Sequence, residues 1–264
     1  MSASDLVVPS EPPIEAESVR LPRRGFTIDR RKALMAAALC WTGFAVVAIL
    51  VVSGRTGAFD SFGLLANRRQ ADLSFAGSQL MLEMVRDMTA LGGVLLRNLF
   101  AVAAVVALLF LKLRREAVLF AMTIEGGWVA NSMLKGLVGR ERPQIVPHLM
   151  EAGGESFPSG HSFNSAVVFI AMALAFAAMS QRHSVRYTLI GSAMVLSAMI
   201  AWSRVMLGVH FPSDVAAGWL GGAGWAFLAA ALLYKPARAA ADSEAVQAIA
   251  PSPALRDQGA PKSG

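Results

Sequence analysis

The chain has 264 residues, 55% of them hydrophobic and 16% charged, with a mean hydropathy of +0.51. These proportions exclude an ordinary soluble domain and point to a single membrane domain. The formal net charge of +6 does not indicate a nucleic-acid partner, because the basic residues sit beside apolar runs, where they act as topology signals.

Residues 1–19 are polar, carry prolines and acids, and are expected to be disordered. Arg20, Arg23, Arg24, Arg30, Arg31 and Lys32 complete a basic cytoplasmic segment over residues 1–32. It starts late, and no clear small-residue cleavage pattern follows Val52, which argues against a signal peptide. Ala33–Val52 is the first of six predicted spans, since about 20 apolar residues at ~1.5 Å rise cross a bilayer. It holds Cys40, the only cysteine, so neither an internal disulfide nor a cysteine-built metal site is available.

The stretch from Ser53 to Gly93 is too long for a plain connection. Within it Met81, Met84, Val85, Met88 and Leu91 share one helical face, with Gln79, Glu83, Arg86 and Asp87 elsewhere. This predicts an amphipathic helix on the outer membrane surface, between the first and second spans. It either packs on the bundle or guides lipid towards a site.

The remaining spans are Val94–Leu111, Ala117–Val138, Ser162–Met179, Tyr187–Val205 and Val215–Tyr234. Glu125 and Asn131 interrupt the third. An ionisable group at that depth is costly, so Glu125 is expected to bond to a neighbouring helix; a transport path is the competing reading. Residues 235–264, rich in Ala, Pro and polar groups, read as a disordered cytoplasmic tail. The expected fold class is all-α, a six-helix membrane bundle over residues 33–234, because only helices or closed barrels satisfy backbone groups in lipid.

Placing the N-terminus inside sets Lys112, Arg114, Arg115, Arg182, Arg186, Lys235 and Arg238 beside cytoplasmic ends, as the positive-inside rule requires. The same orientation brings three polar clusters to one outer edge. Lys135 to Arg142-Pro143 closes the third span, Phe157-Pro158-Ser159-Gly160-His161-Ser162 opens the fourth, and Ser203-Arg204, His210 and Asp214 bridge the last two.

Lys135, Arg142 and Arg204 alone would each read as interfacial snorkelling cations. Three together repel one another unless an anion is bound, and guanidinium forks suit phosphate oxygens. Pro158-Ser159-Gly160 starts a helix whose free amides and dipole favour an anion, and glycine lets a ligand approach the backbone. His161 and His210 are two of only four histidines. Asp214, in the first turn of the last span, is placed to orient His210 and leave its other ring nitrogen free. His148, in an outer loop, and His183, in a cytoplasmic one, have no such company.

Together the clusters resemble the tripartite signature of the type 2 phosphatidic acid phosphatase family, whose superfamily includes vanadium haloperoxidases and glucose-6-phosphatase. Lys135, six residues, Arg142-Pro143; Pro158-Ser159-Gly160-His161; then Ser203-Arg204, five residues, His210, three residues and Asp214 match every fixed position in order. The resemblance implies a phosphatase acting on a lipid phosphate. His210 would attack phosphorus to form a phosphohistidine, Asp214 would support it, and His161 would act as general acid and then base. Lys135, Arg142, Arg204, Ser159 and the Gly160 amide would hold the phosphate oxygens. It also implies activity without metal or other cofactor.

The substrate expected is a membrane lipid phosphate: phosphatidic acid, phosphatidylglycerol phosphate, undecaprenyl pyrophosphate or a lipid A phosphate. The expected location is a bacterial inner membrane, with both termini cytoplasmic and the site on the periplasmic side. Two rival readings remain: a lipid phosphotransferase using the same intermediate, and a non-catalytic lipid binder or transporter. A soluble haloperoxidase is disfavoured by six spans.

Overall fold

The computed structural model describes residues 28–180 and 182–249. Among these described residues eight helices follow in order: α1 Arg30–Val52, α2 Gly57–Leu65, α3 Gln79–Leu91, α4 Val94–Phe110, α5 Arg114–Val138, α6 Gly160–Ala177, α7 His183–Met206 and α8 Pro212–Ile249. Among the described residues the only β pairing is an isolated bridge between Arg68 and Phe75. Most of residues 1–32 and 250–264 of the two expected tails lie outside the described residues, and the expected boundary after residue 234 falls inside α8.

Local chemistry sets the helix ends. The Asp29 carboxylate accepts from the amides of Arg31 and Lys32 and starts α1. The Ser78 hydroxyl does the same for α3 through the Met81 amide, 3.2 Å away. Gly139, at φ 60°, ends α5 in the left-handed conformation that glycine adopts without a steric penalty.

Helices α1, α5, α6, α7 and the first 22 residues of α8, Pro212–Leu233, are long and apolar enough to cross a membrane. The second predicted span differs from its expected form. Helix α4 has 17 residues, about 26 Å of rise, which is short of a ~30 Å hydrocarbon core. It qualifies only together with α3, across a 48° bend at Gly92-Gly93. The predicted amphipathic helix is α3, and it runs into the second span instead of lying apart from it. The bundle is thus an all-helical membrane fold of up to six spans. Helix α2 was not anticipated; it lies in what reads as loop.

Helix α6 is central: 78% of its apolar window is buried, against 17% for α1. Leu108, Phe120, Ala166, Ile170, Ala175, Ala223 and Ala226 form its main packing core. In lipid, such association relies on close van der Waals contact and small residues. Helix α8 supplies them towards α6. A Cβ on Gly222 would lie 2.1 Å from the Phe163 carbonyl oxygen, and one on Gly218 would lie 2.7 Å from that of Ser159. This contact presses α8 against the first turns of α6 and fixes the second and third motif clusters relative to each other. Large exposed side chains such as Leu39, Ile49, Leu95, Phe110 and Leu137 face outward, as a lipid-covered bundle requires.

Candidate active site

His210 lies in the turn between α7 and α8 and is 2% exposed. The turn depends on Gly208, whose φ is 76° and where a Cβ would fall 2.7 Å from Arg68 Nη2 and 3.0 Å from the Pro147 carbonyl oxygen. Arg142, in the segment after α5, donates from Nη1 to the Val209 carbonyl at 2.8 Å and stands 3.1 Å from His210 Nε2. Arginine cannot accept a hydrogen bond, so Nε2 is the accepting nitrogen and the ring proton sits on Nδ1. Nδ1 is 3.2 Å from Ser156 Oγ, and the Ser156 hydroxyl in turn donates to Asp214 Oδ2.

The direct His210–Asp214 bond expected from the sequence is replaced by this bridge. Nδ1 and Asp214 Oδ2 are 3.7 Å apart, beyond hydrogen-bonding range. The serine hydroxyl fits between them, and the outcome is the same: a proton held on Nδ1 and a lone pair on Nε2.

Asp214, fully buried, is itself held from three sides. Its Oδ2 accepts from the Phe211 amide at 3.0 Å, and its Oδ1 accepts from Arg140 Nη1 at 2.6 Å. Arg140 continues to Asp60 Oδ2 at 2.7 Å, and its guanidinium carbon lies 4.1 Å from the centre of the Phe211 ring. Asp60, on α2 and 1% exposed, also accepts from the Ser213 amide at 2.9 Å and the Ser213 hydroxyl at 2.8 Å. The result is a buried carboxylate–guanidinium–carboxylate chain ending at the His210 support.

The second cluster sits as its sequence suggests. Ser159 caps α6, accepting from the Ser162 amide at 3.4 Å and the Ser162 hydroxyl at 2.9 Å, which leaves its own hydroxyl hydrogen to donate. Its amide is bonded to the Asp214 carbonyl at 3.0 Å, which joins the second and third clusters directly. A Cβ on Gly160 would find Asn131 Nδ2 at 3.5 Å and Lys135 Cε at 3.7 Å, so glycine leaves open space beside the lysine. His161 follows in the first turn of α6, partly buried and without a hydrogen bond among the described residues. Its Cδ2 lies 3.4 Å from where a Cβ on Gly92 would stand, so the α3–α4 bend backs the imidazole.

The cations are held by neutral acceptors. Lys135 Nζ bonds to the Glu155 carbonyl, and Arg142 Nε and Nη2 bond to the carbonyls of Gly154 and Gly153 at 3.0 and 2.6 Å. Arg204, 2% exposed, donates from Nη1 to Thr89 Oγ1 of α3 at 2.9 Å, and its Nε is buried without a partner among the described residues. No carboxylate is ion-paired with Lys135, Arg142 or Arg204 among the described residues, so an anion would meet uncompensated charge there.

His210 lies outside the spans, and its pKa is lowered from 6.5 to about 4. Burial is the main cause; the charges of Arg142 and Arg204 add to it, and the Asp214 carboxylate opposes it. The imidazole is therefore neutral at pH 7. Burial also lowers the Arg142 pKa from its ordinary value.

Every site residue expected from the sequence falls in this one region, where α5 and α7 end and α6 and α8 begin. His148 and His183 do not join it. His148 bonds to the Pro143 carbonyl at 2.7 Å, and His183 stacks on Tyr187 at the other end of α7. Four residues of the network were not anticipated: Asp60, Arg140, Ser156 and Ser213. Arg140, Ser156 and Ser213 lie within two residues of a recognised cluster, so their proximity was a usable signal. Asp60 had only one, an acid in the apolar run Gly57–Leu65 with no basic neighbour.

The PAP2 superfamily model matches residues 116–238, the stretch that carries all three clusters. The chain is 36% identical over 127 residues to a lipid A 1-phosphatase of Rhizobium etli, covering 45% of this chain and 50% of that one. It is 38% identical over 94 residues to phosphatidylglycerophosphatase B of Bacillus subtilis, covering 33% and 43%. The chain thus spans half or less of the length of the curated relatives named here. The crystal structure of a transmembrane PAP2 type phosphatidylglycerolphosphate phosphatase from Bacillus subtilis superimposes with a TM-score of 0.66, at 24% identity, over 73% of this chain and 93% of the other. That superposition carries the fold, and over residues 116–238, the stretch that bears the three clusters, the chain is similar to the PAP2 superfamily.

Proposed function

We propose that the chain is a lipid phosphate phosphatase that works through a phosphohistidine on His210. The observation that carries this reading is the His210 imidazole itself. It is neutral, its proton is held on Nδ1 by Ser156 and Asp214, and its Nε2 lone pair lies 3.1 Å from a guanidinium suited to a phosphate oxygen.

In the first step Nε2 attacks phosphorus, a P–N bond forms, and the P–O bond to the lipid breaks. His161, once protonated beside the bound phosphate anion, gives its proton to the departing oxygen. Lys135, Arg142, Arg204, the Ser159 hydroxyl and the Gly160 amide carry the charge on the non-bridging oxygens. Asp214, through Ser156, supports the positive charge that His210 acquires. In the second step His161 takes a proton from water, the water oxygen attacks phosphorus, and the P–N bond breaks. Inorganic phosphate leaves, and both imidazoles return to their starting protonation states.

The cluster is built to meet an anion: three cations, a helix N-terminus, and a carboxylate already engaged by Arg140. We therefore expect activity without a metal ion, and purified protein should release phosphate at the same rate in excess chelator. Membrane lipids bearing a phosphate are the proposed substrates, in keeping with the names of the relatives. The site would face the periplasm of an inner membrane, with both termini in the cytoplasm, in keeping with the basic inner loops.

The test is phosphate release from short-chain lipid phosphates in detergent. His210→Ala should lower turnover by more than about 10³-fold, as loss of a covalent nucleophile does. A folded His210→Ala variant with wild-type turnover would remove the nucleophile and the mechanism with it.

A further inference from the structure

Below His161 a second polar feature lies inside the membrane. A cavity of about 310 Å³ sits between α4, α5 and α6, lined by Arg97, Asn98, Glu125, Trp128, Asn164 and nearby apolar side chains. Its place is fixed by three elements. Asn164 is three residues after His161 on α6, about 4.5 Å deeper along the helix. Arg97 donates to the Gly92 carbonyl at 3.3 Å, and Gly92 is the residue that backs the His161 ring. Glu125 is six residues before Asn131 on α5, about 9 Å below the residue that flanks Gly160. The cavity therefore begins about one helical turn below His161.

Its polar groups are not satisfied by the protein. Glu125 is exposed near the midpoint of α5, with no hydrogen bond or ion pair among the described residues, so the bond to a neighbouring helix expected from the sequence is not made. Asn164, 9% exposed, likewise has no hydrogen-bond partner among them. Arg97, 7% exposed, has among the described residues only a carbonyl and the Asn98 side chain, at 3.3 and 3.5 Å. An acid at the centre of a span costs about 2.5–3.5 kcal/mol on insertion scales, so an unpaired one marks a polar occupant. Val94 and Trp128, 69% and 56% exposed, border the cavity, which places its mouth sideways towards lipid between α4 and α5.

We propose that this cavity binds the head of the leaving group and selects lipids whose head carries free hydroxyl or amide groups, a sugar or a glycerol, over a bare apolar alcohol. The inference rests on the phosphatase reading above. Glu125 and the Asn164 oxygen accept from hydroxyl or amide donors, and Arg97 and the Asn164 amide donate to head oxygens. A prenyl pyrophosphate brings neither a sugar nor a glycerol hydroxyl to Glu125 and Asn164, so it is a poor fit. A diacylglycerol leaving group has no free hydroxyl other than the reacting oxygen, so phosphatidic acid leaves the cavity polar groups unpaired. Sites that hydrogen-bond a substrate hydroxyl discriminate strongly against analogues lacking it, for that reason.

The experiment compares kcat/KM for four lipids in one detergent: a glycolipid 1-phosphate, phosphatidylglycerol phosphate, phosphatidic acid and a prenyl pyrophosphate. The wild type should favour the first two by at least about tenfold. Glu125→Leu and Asn164→Leu should each shrink that ratio severalfold, and Glu125→Gln, which keeps an accepting oxygen, should restore part of it. A second arm needs no turnover. The fluorescence difference between wild type and Trp128→Phe is followed while a monoacylglycerol, or a fatty alcohol of matched length, is added to protein in nanodiscs. The monoacylglycerol alone should change the Trp128 signal, and Glu125→Leu should weaken that response. Equal kcat/KM across the four lipids, or ratios untouched by both leucine variants, overturns the subsite. Hydrolysis of none of the four with the Trp128 response intact overturns the phosphatase reading and leaves the binding site standing.

Discussion

Asp60 lies outside the matched stretch of residues 116–238, yet its carboxylate anchors the chain that ends at His210. Asp60→Asn keeps its shape and removes its charge. The carboxylate accepts bonds from Arg140 at 2.7 Å and from the Ser213 amide and hydroxyl at 2.9 and 2.8 Å. An amide has one accepting oxygen, so whichever way it turns, at least one donor meets an NH2 group. Breaking a buried ion pair outright costs about 3–5 kcal/mol. Arg140 keeps Asp214 as a partner at 2.6 Å, so the expected cost is smaller, about 2 kcal/mol. Arg140 is then free to draw Asp214 away from Ser156, which loosens the hold on the His210 Nδ1 proton. If that cost falls on the transition state, kcat drops by roughly 10- to 100-fold, because each 1.36 kcal/mol is tenfold. KM should change little, since no phosphate-binding group moves. The assay is phosphate release at saturating and limiting lipid, beside the unfolding temperature of each variant. Arg140→Gln should have a similar effect, and Asp60→Asn with Arg140→Gln should be clearly less than additive. A folded Asp60→Asn variant with kcat within twofold of wild type, or fully additive losses, would refute the positioning chain.

Three other expectations follow from the same geometry. In Gly92→Ala the new Cβ would stand 2.4 Å from Ile200 Cγ2 and 2.7 Å from Ser165 Oγ, so the α3–α4 bend must shift. We expect about 1–3 kcal/mol lost in stability, together with a fall in kcat through His161; wild-type values for both would show that the contact is slack. His161→Ala should slow lipid phosphates far more than an aryl phosphate whose leaving group needs no proton, and equal losses on both would end its general-acid role. The His210 pKa of about 4 lies below the unfolded value of 6.5. As pH falls through that window the unfolded chain gains a proton that the folded chain refuses, so stability falls, by about 3 kcal/mol once both pKa values are passed. His210→Gln should show a shallower decline between pH 6.5 and 4 in thermal unfolding, and parallel curves would contradict the buried neutral imidazole.

What could be read from the sequence follows the range of the interactions involved. The spans are legible because hydropathy is local. The three clusters are legible because Lys135 to Arg142, Pro158 to His161 and Arg204 to Asp214 are short segments whose residue types state their chemistry. Ser156 was missed because serine is common in loops, and only three-dimensional closure places its hydroxyl between His210 and Asp214. Arg140 was passed over for Arg142, two residues on, because spacing alone does not tell a guanidinium that meets carboxylates from one that meets the imidazole. Asp60 is 80 residues from Arg140, and no periodicity reports a contact at that distance. The α3–α4 bend escaped for a related reason: an amphipathic helix and a short span look separate until the Gly92-Gly93 junction is seen packed against Ile200 and Ser165.

The central claim is a covalent phosphate on His210, and chemical trapping tests it most directly. Protein mixed with a phosphate-labelled lipid and quenched within milliseconds should carry an acid-labile, base-stable label on His210. The label should be absent from His210→Ala, and in His161→Ala it should accumulate from a labelled aryl phosphate, whose leaving group needs no proton, because water is no longer activated. Label on any other residue, or turnover with no label in either wild type or His161→Ala, would contradict the account.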